Sequence, residues 1–253
     1  MLLDWVNSTA KSRRLLLRDV IEWDVRSWSP CLDFWVPAIQ RMEPASTRVL
    51  AVGERNGGIS LWFALQGFNV ICTDYGGPTA QACELHQKYK VSNRVSYADI
   101  NLFSMPYPDE SFDVVACKSV IGGLKLVRRD ATTRTLDNQS RAITEIHRVI
   151  KPAGYFLGAE NLKGTWIHQK IRSWVKRGRV GWRHLSRAEI DHLFKNFEVL
   201  EQQSNGFLGS HITLLGVDHL TAAIDSCLCP LLPADWQYIS LIRARKARKE
   251  DRE

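Results

Sequence analysis

Apolar residues in this chain form short runs that alternate with longer segments of helical periodicity. The first clear run is Arg48 to Val52, which leads into a glycine-rich loop and then into a helical pattern over 59–66. The next run, 69–74, follows at once and ends in a carboxylate. Short apolar runs bounded by glycine predict buried strands, and the segment between them predicts a crossover helix. This part of the chain therefore predicts a βαβ unit.

The same alternation continues toward the C-terminus. Further strands are predicted at 94–98, 112–117, 155–160, 197–203 and 236–244, and further helices at 79–89, 137–150, 187–195 and 212–228. Strands that alternate with helices are typical of α/β proteins with a parallel sheet. No repeat or low-complexity linker divides the sequence, so we expect a single domain over residues 1–253.

Residues 1–40 show an amphipathic, helix-like pattern before the first strand. Four tryptophans accompany its leucines, valines and isoleucines: Trp5, Trp23, Trp28 and Trp35. We expect residues 1–44 to form a helical cap on the main domain, with Pro37 and Pro44 marking the entry into the core. A helix that lies on a membrane surface is the alternative interpretation.

The loop after the first strand has the layout of a nucleotide-binding site. Gly53, Gly57 and Gly58 let the backbone approach a ligand, and Asp74 ends the next strand where a carboxylate can accept ribose hydroxyls. A dinucleotide motif would have glycine where Arg55 lies, and the arginine side chain crowds the place of a pyrophosphate. The spacing therefore favours a nucleoside ligand without phosphates over NAD. An ordinary βα turn would explain the glycines, but it explains Asp74 less well.

The composition is that of a globular protein whose positive charge is unevenly distributed. The chain has 253 residues, of which 45% are hydrophobic and 24% charged, and a formal net charge of +7. It lacks the run of about 18 apolar residues that would span a membrane. Eight basic residues and no acid lie between positions 161 and 188: Lys163, Lys170, Arg172, Lys176, Arg177, Arg179, Arg183 and Arg187. This basic segment predicts an anionic partner, which could be a phosphate-bearing substrate, a membrane surface or a nucleic acid.

The six cysteines carry no metal-binding signature. Cys227 and Cys229 form a C-x-C, but no second pair follows at the spacing of zinc ligands. Scattered cysteines of this kind predict reduced, buried thiols in a cytoplasmic protein. We therefore expect an activity that needs no metal.

Five motifs follow one another along the predicted βα units. They are Val49 to Gly57, Cys72 to Asp74, Ala98 to Ile100, Met105 to Val115 and Glu145 to Gly154. Together they resemble class I S-adenosylmethionine-dependent methyltransferases of type 11, over residues 48–160. The resemblance implies a Rossmann-like, doubly wound sheet of seven strands, mostly parallel, with an antiparallel last strand. It also implies a cofactor-binding core at 45–160 and a substrate-side insertion with the closing strands at 161–253. The pairs Gly122-Gly123 and Glu160-Asn161 are similar to methyltransferases of bacterial surface-polysaccharide biosynthesis.

The resemblance implies S-adenosyl-L-methionine as the cofactor. The residues expected to bind it are Gly53, Glu54, Arg55, Gly57, Asp74, Tyr75, Asp99, Ile100, Lys118 and Ser119. Asp74 would accept the ribose hydroxyls, while Asp99 and Ile100 would bind the adenine. The family usually has an acid at the position of Ala51. Here either Glu54 takes its place or the site binds the cofactor more weakly.

A hydroxyl acceptor would need a base to take its proton. The candidates, in falling order of preference, are Glu160, His168, His184 and Lys118. For each histidine taken alone, a surface position in the basic segment is the better interpretation.

The tryptophans and arginines of the basic segment suit an acceptor that contains a sugar and a phosphate. We therefore expect O-methylation of a glycan or of a lipid- or nucleotide-linked sugar. The expected partner is an anionic or glycan acceptor, with a peripheral membrane contact as a further alternative and a nucleic acid less favoured. Methylation of RNA or of another small molecule stays open, as does a degenerate fold that serves as a binding module.

Overall fold

The computed structural model describes residues 10–124, 133–175, 182–208, 224–225 and 227–248. Its helices are α1 (Ala10–Ile21), α2 (Val25–Trp28), α3 (Pro30–Ile39), α4 (Gly58–Leu65), α5 (Ala80–Lys88), α6 (Thr133–Val149), α7 (Trp166–Val175) and α8 (Arg187–Leu193). Its strands are β1 (Arg48–Val52), β2 (Asn69–Asp74), β3 (Val95–Asp99), β4 (Phe112–Lys118), β5 (Ile150–Asn161), β6 (Val199–Asn205) and β7 (Ile239–Arg245).

The seven strands form one sheet in the order β3-β2-β1-β4-β5-β7-β6. The pairs among β1 to β5 are parallel, and β7 runs antiparallel to both of its neighbours, β5 and β6. Strands β2 and β3 follow on one side of β1, and β4 to β7 lie on its other side. The strand order therefore reverses between β1 and β4. The predicted Rossmann-like, doubly wound fold is therefore confirmed, including the antiparallel last strand.

The sheet separates two apolar cores, one on each face. Val49, Ala51 and Val114 point into the core beneath α1, α3, α4 and α5. Their neighbours along the strands, Leu50 and Val115, point into the core beneath α6 and α8. Each fully buried side chain of this size contributes roughly 1.5–3 kcal/mol. Burial on both faces explains why the strands are continuous apolar runs in the sequence.

The helical cap is attached to the sheet by polar contacts over long sequence distances. Trp35 Nε1 donates to the carbonyl oxygen of Gly158 in β5, at 3.3 Å. Tyr238 OH, next to β7, lies 2.8 Å from both Asp24 Oδ2 and Ser27 Oγ. Arg243 in β7 donates to the carbonyl oxygen of a residue in α3. The expected cap is therefore present in the described part of residues 1–44, as three helices.

Several element boundaries differ from the predicted ones. Pro37 does not mark the entry into the core but lies inside α3. A proline within a helix costs about 3 kcal/mol, and the burial of Trp35 and Ile39 on the same helix offsets it. Strand β5 begins at Ile150 because Ile150 already pairs with Phe112, ahead of an irregularity in the ladder.

Other predicted boundaries fall differently near the end of the chain. The last strand starts at Ile239, since Trp236 belongs to a short 3-10 turn over Ala234–Trp236. Most of the helix predicted at 212–228 lies outside the described residues. Among the described helices, none is long and apolar enough to cross a membrane.

Candidate active site

The glycine loop leaves β1 at Gly53, which has a φ of +68°. A Cβ atom there would lie 2.9 Å from Cγ1 of Val120 and closer still to its Cγ2. Only glycine can adopt this positive φ and also leave room for the side chain of Val120 without strain. The next residue, Glu54, is 6% exposed, and its Oε2 accepts the backbone N–H of Ser60 at 2.8 Å. Burial raises the pKa of Glu54 to about 7. Its carboxylate thus holds the first turn of α4, which differs from the cofactor contact expected of it.

The remainder of the loop is held by α5 and the segment before it. The carbonyl oxygen of Arg55 accepts both the N–H and the hydroxyl of Thr79, each at 2.9 Å, and the arginine side chain is exposed. The carbonyl oxygen of Gly57 lies 2.9 Å from Nε2 of His86, whose Nδ1 lies 2.8 Å from Tyr97 OH. Burial lowers the pKa of His86. The neutral ring therefore supports the loop through its contact with the carbonyl oxygen of Gly57.

Two carboxylates lie side by side where β2 and β3 end. Asp74 and Asp99 are directly paired across the parallel ladder. Asp74 Oδ1 accepts the N–H of Tyr75 at 2.8 Å, and Asp99 Oδ1 accepts the N–H of Gly76 at 2.7 Å. Burial raises the pKa of Asp74. The side chain of Ile100 is buried beneath them, whereas Tyr75 is 81% exposed. The structure therefore brings together the acids and the apolar residue that were expected to bind ribose and adenine.

Lys118 is the last residue of β4 and is 7% exposed. Its Nζ has no hydrogen-bond partner among the described residues. The ammonium group lies 3.1 Å from the ring centroid of Trp23 and 5.4 Å from that of Trp28. Burial lowers the pKa of Lys118 to about 8, against the opposing effect of nearby carboxylates, of which Glu22 has the largest.

The segment after β4, residues 119–123, is tied to β5 by Glu160. Glu160 Oε1 accepts the N–H groups of Val120 at 2.7 Å and Ile121 at 2.8 Å, and Oε2 accepts that of Gly122 at 3.3 Å. The residue is fully buried, and burial raises the pKa of its carboxyl group. Both oxygens therefore face backbone amides, a geometry that differs from the one expected of a base that contacts an acceptor.

Neighbouring residues complete the attachment of segment 119–123. Ser119, with a φ of +55°, donates its N–H to the carbonyl oxygen of Ala159, and its Oγ accepts from Asn161 Nδ2, both at 2.7 Å. The carbonyl oxygen of Gly122 accepts the N–H of Arg183 at 2.8 Å. The segment is thus fixed from β5 on one side and from the basic segment on the other.

The two candidate histidines have different surroundings. His168 is 3% exposed. Its Nδ1 accepts the backbone N–H of Thr165 at 3.0 Å, and its Nε2 lies 2.7 Å from the carbonyl oxygen of Phe207. Both ring nitrogens are therefore engaged within the fold. His184 is half-buried and precedes Leu185, which forms a bridge to Leu162 just after β5.

Part of the basic segment can be described. Lys170 Nζ lies 5.4 Å from the ring of Trp166, and Arg183 forms an ion pair with Glu189. Lys176, Arg177 and Arg179 lie outside the described residues, and so do the side chains of Arg172 and Trp174. Within the described ranges, no group of three or more His, Cys, Asp or Glu side chains is arranged to hold a metal ion.

The sequence that contains the loop and the paired acids matches a family model. A family model described as a methyltransferase domain matches residues 50–158. Residues 50–158 are therefore similar to a methyltransferase domain. The match confirms the methyltransferase class that the sequence predicts. The narrower resemblance to enzymes of polysaccharide biosynthesis stays a prediction.

Solved structures share the fold of the methyltransferase domain and of the elements around it. YcgJ from Bacillus subtilis is 19% identical, with a TM-score of 0.59 over 87% of this chain and 99% of that chain. Phosphoethanolamine N-methyltransferase 2 from Haemonchus contortus, solved with S-adenosyl-L-methionine, is 16% identical, with a TM-score of 0.61 over 98% of this chain and 60% of that chain. The [4+2]-cyclase SpnF is 19% identical, with a TM-score of 0.57 over 85% of this chain and 79% of that chain. No curated protein matches the sequence.

Two features of the methyltransferase site were not predicted from the sequence. Trp23 and Glu22, from the connector between α1 and α2, approach Lys118 from the cap. Gly58 was assigned to the ligand loop, but a Cβ there would lie 2.9 Å from the carbonyl carbon of Val20 in α1. The glycine pair 57–58 therefore serves the docking of the cap as well as the loop. The tryptophans of the cap were the one available signal, since large buried aromatic residues anchor packed surfaces.

Proposed function

We propose that this methyltransferase transfers a methyl group from S-adenosyl-L-methionine to a hydroxyl group of a glycan or of a lipid- or nucleotide-linked sugar. The single observation that carries the cofactor site is the pairing of Asp74 with Asp99 at the ends of β2 and β3. In open α/β sheets, ligands bind beyond these strand ends, close to the point where the strand order reverses.

The described residues fit the nucleoside part of the cofactor. A carboxylate that ends a strand can accept both ribose hydroxyls, and Asp74 lies at that position. Asp99, one strand further, suits the exocyclic amine of adenine, and the buried side chain of Ile100 suits the face of the ring. The loop that begins at Gly53 would approach the amino-acid part of the cofactor. When bound, the cofactor supplies an activated methyl group with a good leaving group, so positioning provides much of the rate enhancement.

The acceptor side of the proposal is supported by aromatic and basic side chains that remain partly exposed. Trp182 is 37% exposed, and its ring packs against the backbone of Gly122 and Gly123, directly after β4. Trp166 is 67% exposed and has the cation of Lys170 over its ring. Indole faces pack on sugar rings, and basic side chains bind phosphate. These contacts support a sugar that carries a negative charge.

The cofactor assignment is tested by replacing Asp74 with alanine. We expect Asp74→Ala to weaken binding of S-adenosyl-L-methionine by roughly 1.5–3 kcal/mol, which is about ten- to a hundredfold, because a charge-assisted pair of hydrogen bonds is lost. Isothermal titration calorimetry measures this directly. Asp235→Ala removes an exposed carboxylate in the turn before β7 and should bind like the parent protein. Equal affinity of both variants would show that Asp74 does not bind the cofactor.

The acceptor class is tested by a screen with radiolabelled methyl donor. Purified protein is incubated with free glycans, nucleotide sugars, lipid-linked sugars and total RNA. Label in a sugar hydroxyl, with loss of activity in Trp182→Ala, is the expected result. Label in RNA together with a steep salt dependence would instead favour the nucleic-acid alternative. Absence of any cofactor binding would favour the binding module.

A further inference from the structure

The contacts proposed above for the nucleoside and the sugar do not involve the buried amine of Lys118, which the sequence placed among the cofactor-binding residues and the candidate bases. Buried cations in folded proteins are almost always paired or hydrogen-bonded, and an exception at the edge of a site points to function. Lys118 is 7% exposed, and its Nζ has no hydrogen-bond partner in the part of the chain that the structure describes. Its contact is instead with the face of Trp23.

The position of Lys118 is set by the strand register. Val52 of β1 pairs with Cys117 of β4. The residues that follow them, Gly53 and Lys118, therefore lie side by side, at the point where the strand order reverses. On the other side, Lys118 pairs with Ala159 of β5. The amine therefore lies between the glycine loop and the cap, next to the segment that carries the cofactor's amino-acid end in the proposed function.

The groups that face this amine come from four parts of the fold. They are Glu22 from the connector between α1 and α2, the thiol of Cys31 from α3, Glu54 from the glycine loop and Glu160 from β5. The carboxylates raise the pKa of Lys118 while burial lowers it, and the balance leaves it at about 8. The face of Trp23 adds a cation–π contact that favours the charged form. A modest change in local charge is therefore enough to remove the proton near neutral pH.

We propose that Lys118 is a protonation switch: it is charged in the free protein and becomes neutral when the positively charged cofactor binds beside it. This inference rests on the proposed function, because it requires a sulfonium near the end of β4. A second cation in a buried site disfavours the ammonium form. In this proposal the neutral amine, at the end of β4 beside the glycine loop, takes the proton of the acceptor.

The methyl-transfer step balances with Lys118 in this role. The acceptor oxygen forms a bond to the methyl carbon, and its O–H proton passes to Nζ of Lys118. The carbon–sulfur bond breaks and leaves its electron pair on sulfur, so the sulfonium charge disappears as the ammonium charge appears. The product state therefore again contains one cation beside β4.

The switch is tested by counting protons released on binding. S-adenosyl-L-methionine and S-adenosylhomocysteine are each titrated calorimetrically at pH 8 in two buffers of different ionisation enthalpy. At this pH the carboxyl group of Glu54, with a pKa of about 7, is already ionised. Lys118, with a pKa of about 8, is about half protonated. With S-adenosyl-L-methionine we expect the parent to release about half a proton more than Lys118→Met does, and with S-adenosylhomocysteine, which lacks the sulfonium charge, we expect no difference between the two proteins. The α-amino group of each ligand also titrates near pH 8, and its contribution cancels in this difference.

Two variants control the experiment. Lys118→Met should bind both ligands, and its proton count gives the contribution of the ligand's own α-amino group. Lys118→Arg keeps a permanent charge, so it should release no more protons than Lys118→Met and should bind S-adenosyl-L-methionine at least about tenfold more weakly relative to S-adenosylhomocysteine than the parent does. Equal proton release by the parent and by Lys118→Met would refute the switch while leaving the proposed function intact. Failure of the parent to bind S-adenosyl-L-methionine would instead refute the proposed function.

Discussion

Glu160 stood first among the candidate bases, yet its carboxylate holds the backbone of residues 120–122. A carboxylate at the end of a strand is an equally good acceptor for substrate protons and for free amides. The sequence could not distinguish the two because the segment after β4 is a loop whose path depends on tertiary contacts. We assign Glu160 a positioning role, since it fixes the segment that packs against Gly53.

The positioning role predicts a specific result for Glu160→Gln. The amide cannot accept all the backbone N–H groups that the carboxylate accepts, so we expect a loss of roughly 1.5–3 kcal/mol in the free energy of unfolding, measured with urea. Glu84→Gln, which removes the same charge from an exposed position on α5, should change it by less than about 0.5 kcal/mol. Unchanged stability together with abolished turnover would support the role of base instead.

Ala153 offers a second test at the residue scale, because its φ is +62°. Backbone in this region costs an L-residue roughly 1–2 kcal/mol, whereas glycine adopts it freely. We expect Ala153→Gly to raise the free energy of unfolding by roughly 0.5–1 kcal/mol and to raise the melting temperature. Ala98→Gly in β3 serves as the control and should lower stability, since ordinary strand backbone gains nothing from glycine. Destabilisation by both changes would mean that Ala153 is not strained.

At the scale of elements, α1 docks on α4 through close backbone contact at Gly58. A methyl group at this position would press against the carbonyl group of Val20 and push α1 away. We expect Gly58→Ala to cost roughly 1–3 kcal/mol and to raise hydrogen exchange of α1 amides above that of the sheet. Ser60→Ala, in the same helix, is the matched control. Its buried side chain interacts with Glu54 of the glycine loop rather than with α1, so its removal should leave exchange in α1 unchanged.

The sequence predicted the elements whose pattern is local. β1 and β2 are buried on both faces, so they appear in the sequence as apolar runs. The sequence also predicted correctly that β2 ends at Asp74. What it missed depends on contacts between distant segments. The approach of Trp23 to Lys118 joins the cap to β4, and the early start of β5 depends on pairing with Phe112. Neither leaves a periodic signal near the residues concerned.

At the scale of the whole molecule, the buried charge of Lys118 makes stability depend on pH. Its folded pKa of about 8 lies below the ordinary lysine pKa of 10.5, which applies to the unfolded chain, so the unfolded state binds more protons between these two pH values. Stability is therefore lower below pH 8 and rises toward pH 10.5. Lys118→Met removes this effect, and we expect it to be more stable than the parent by roughly 2–3 kcal/mol at pH 7.

The quantity to measure is the difference in the free energy of unfolding between Lys118→Met and the parent. Urea unfolding at several pH values between 7 and 10 should show the gap narrowing as the pH rises, because the parent loses the cost of its buried charge. Other groups that titrate in this range contribute to both proteins and cancel in the difference. A gap that stays constant over the range would mean that Lys118 has an ordinary pKa.

The contacts between the cap and the last strand have a consequence for biosynthesis. Tyr238 bonds to Ser27 across 211 positions of sequence and to Asp24 across 214. Asp24 and Ser27 leave the ribosome long before Tyr238 is made, so the cap cannot complete its packing until synthesis is nearly finished. Until then Trp28 and Trp35 lack part of the surface that buries them. Translation of this protein therefore includes a period in which an aromatic surface is exposed, and a chaperone that binds nascent chains would find its target there.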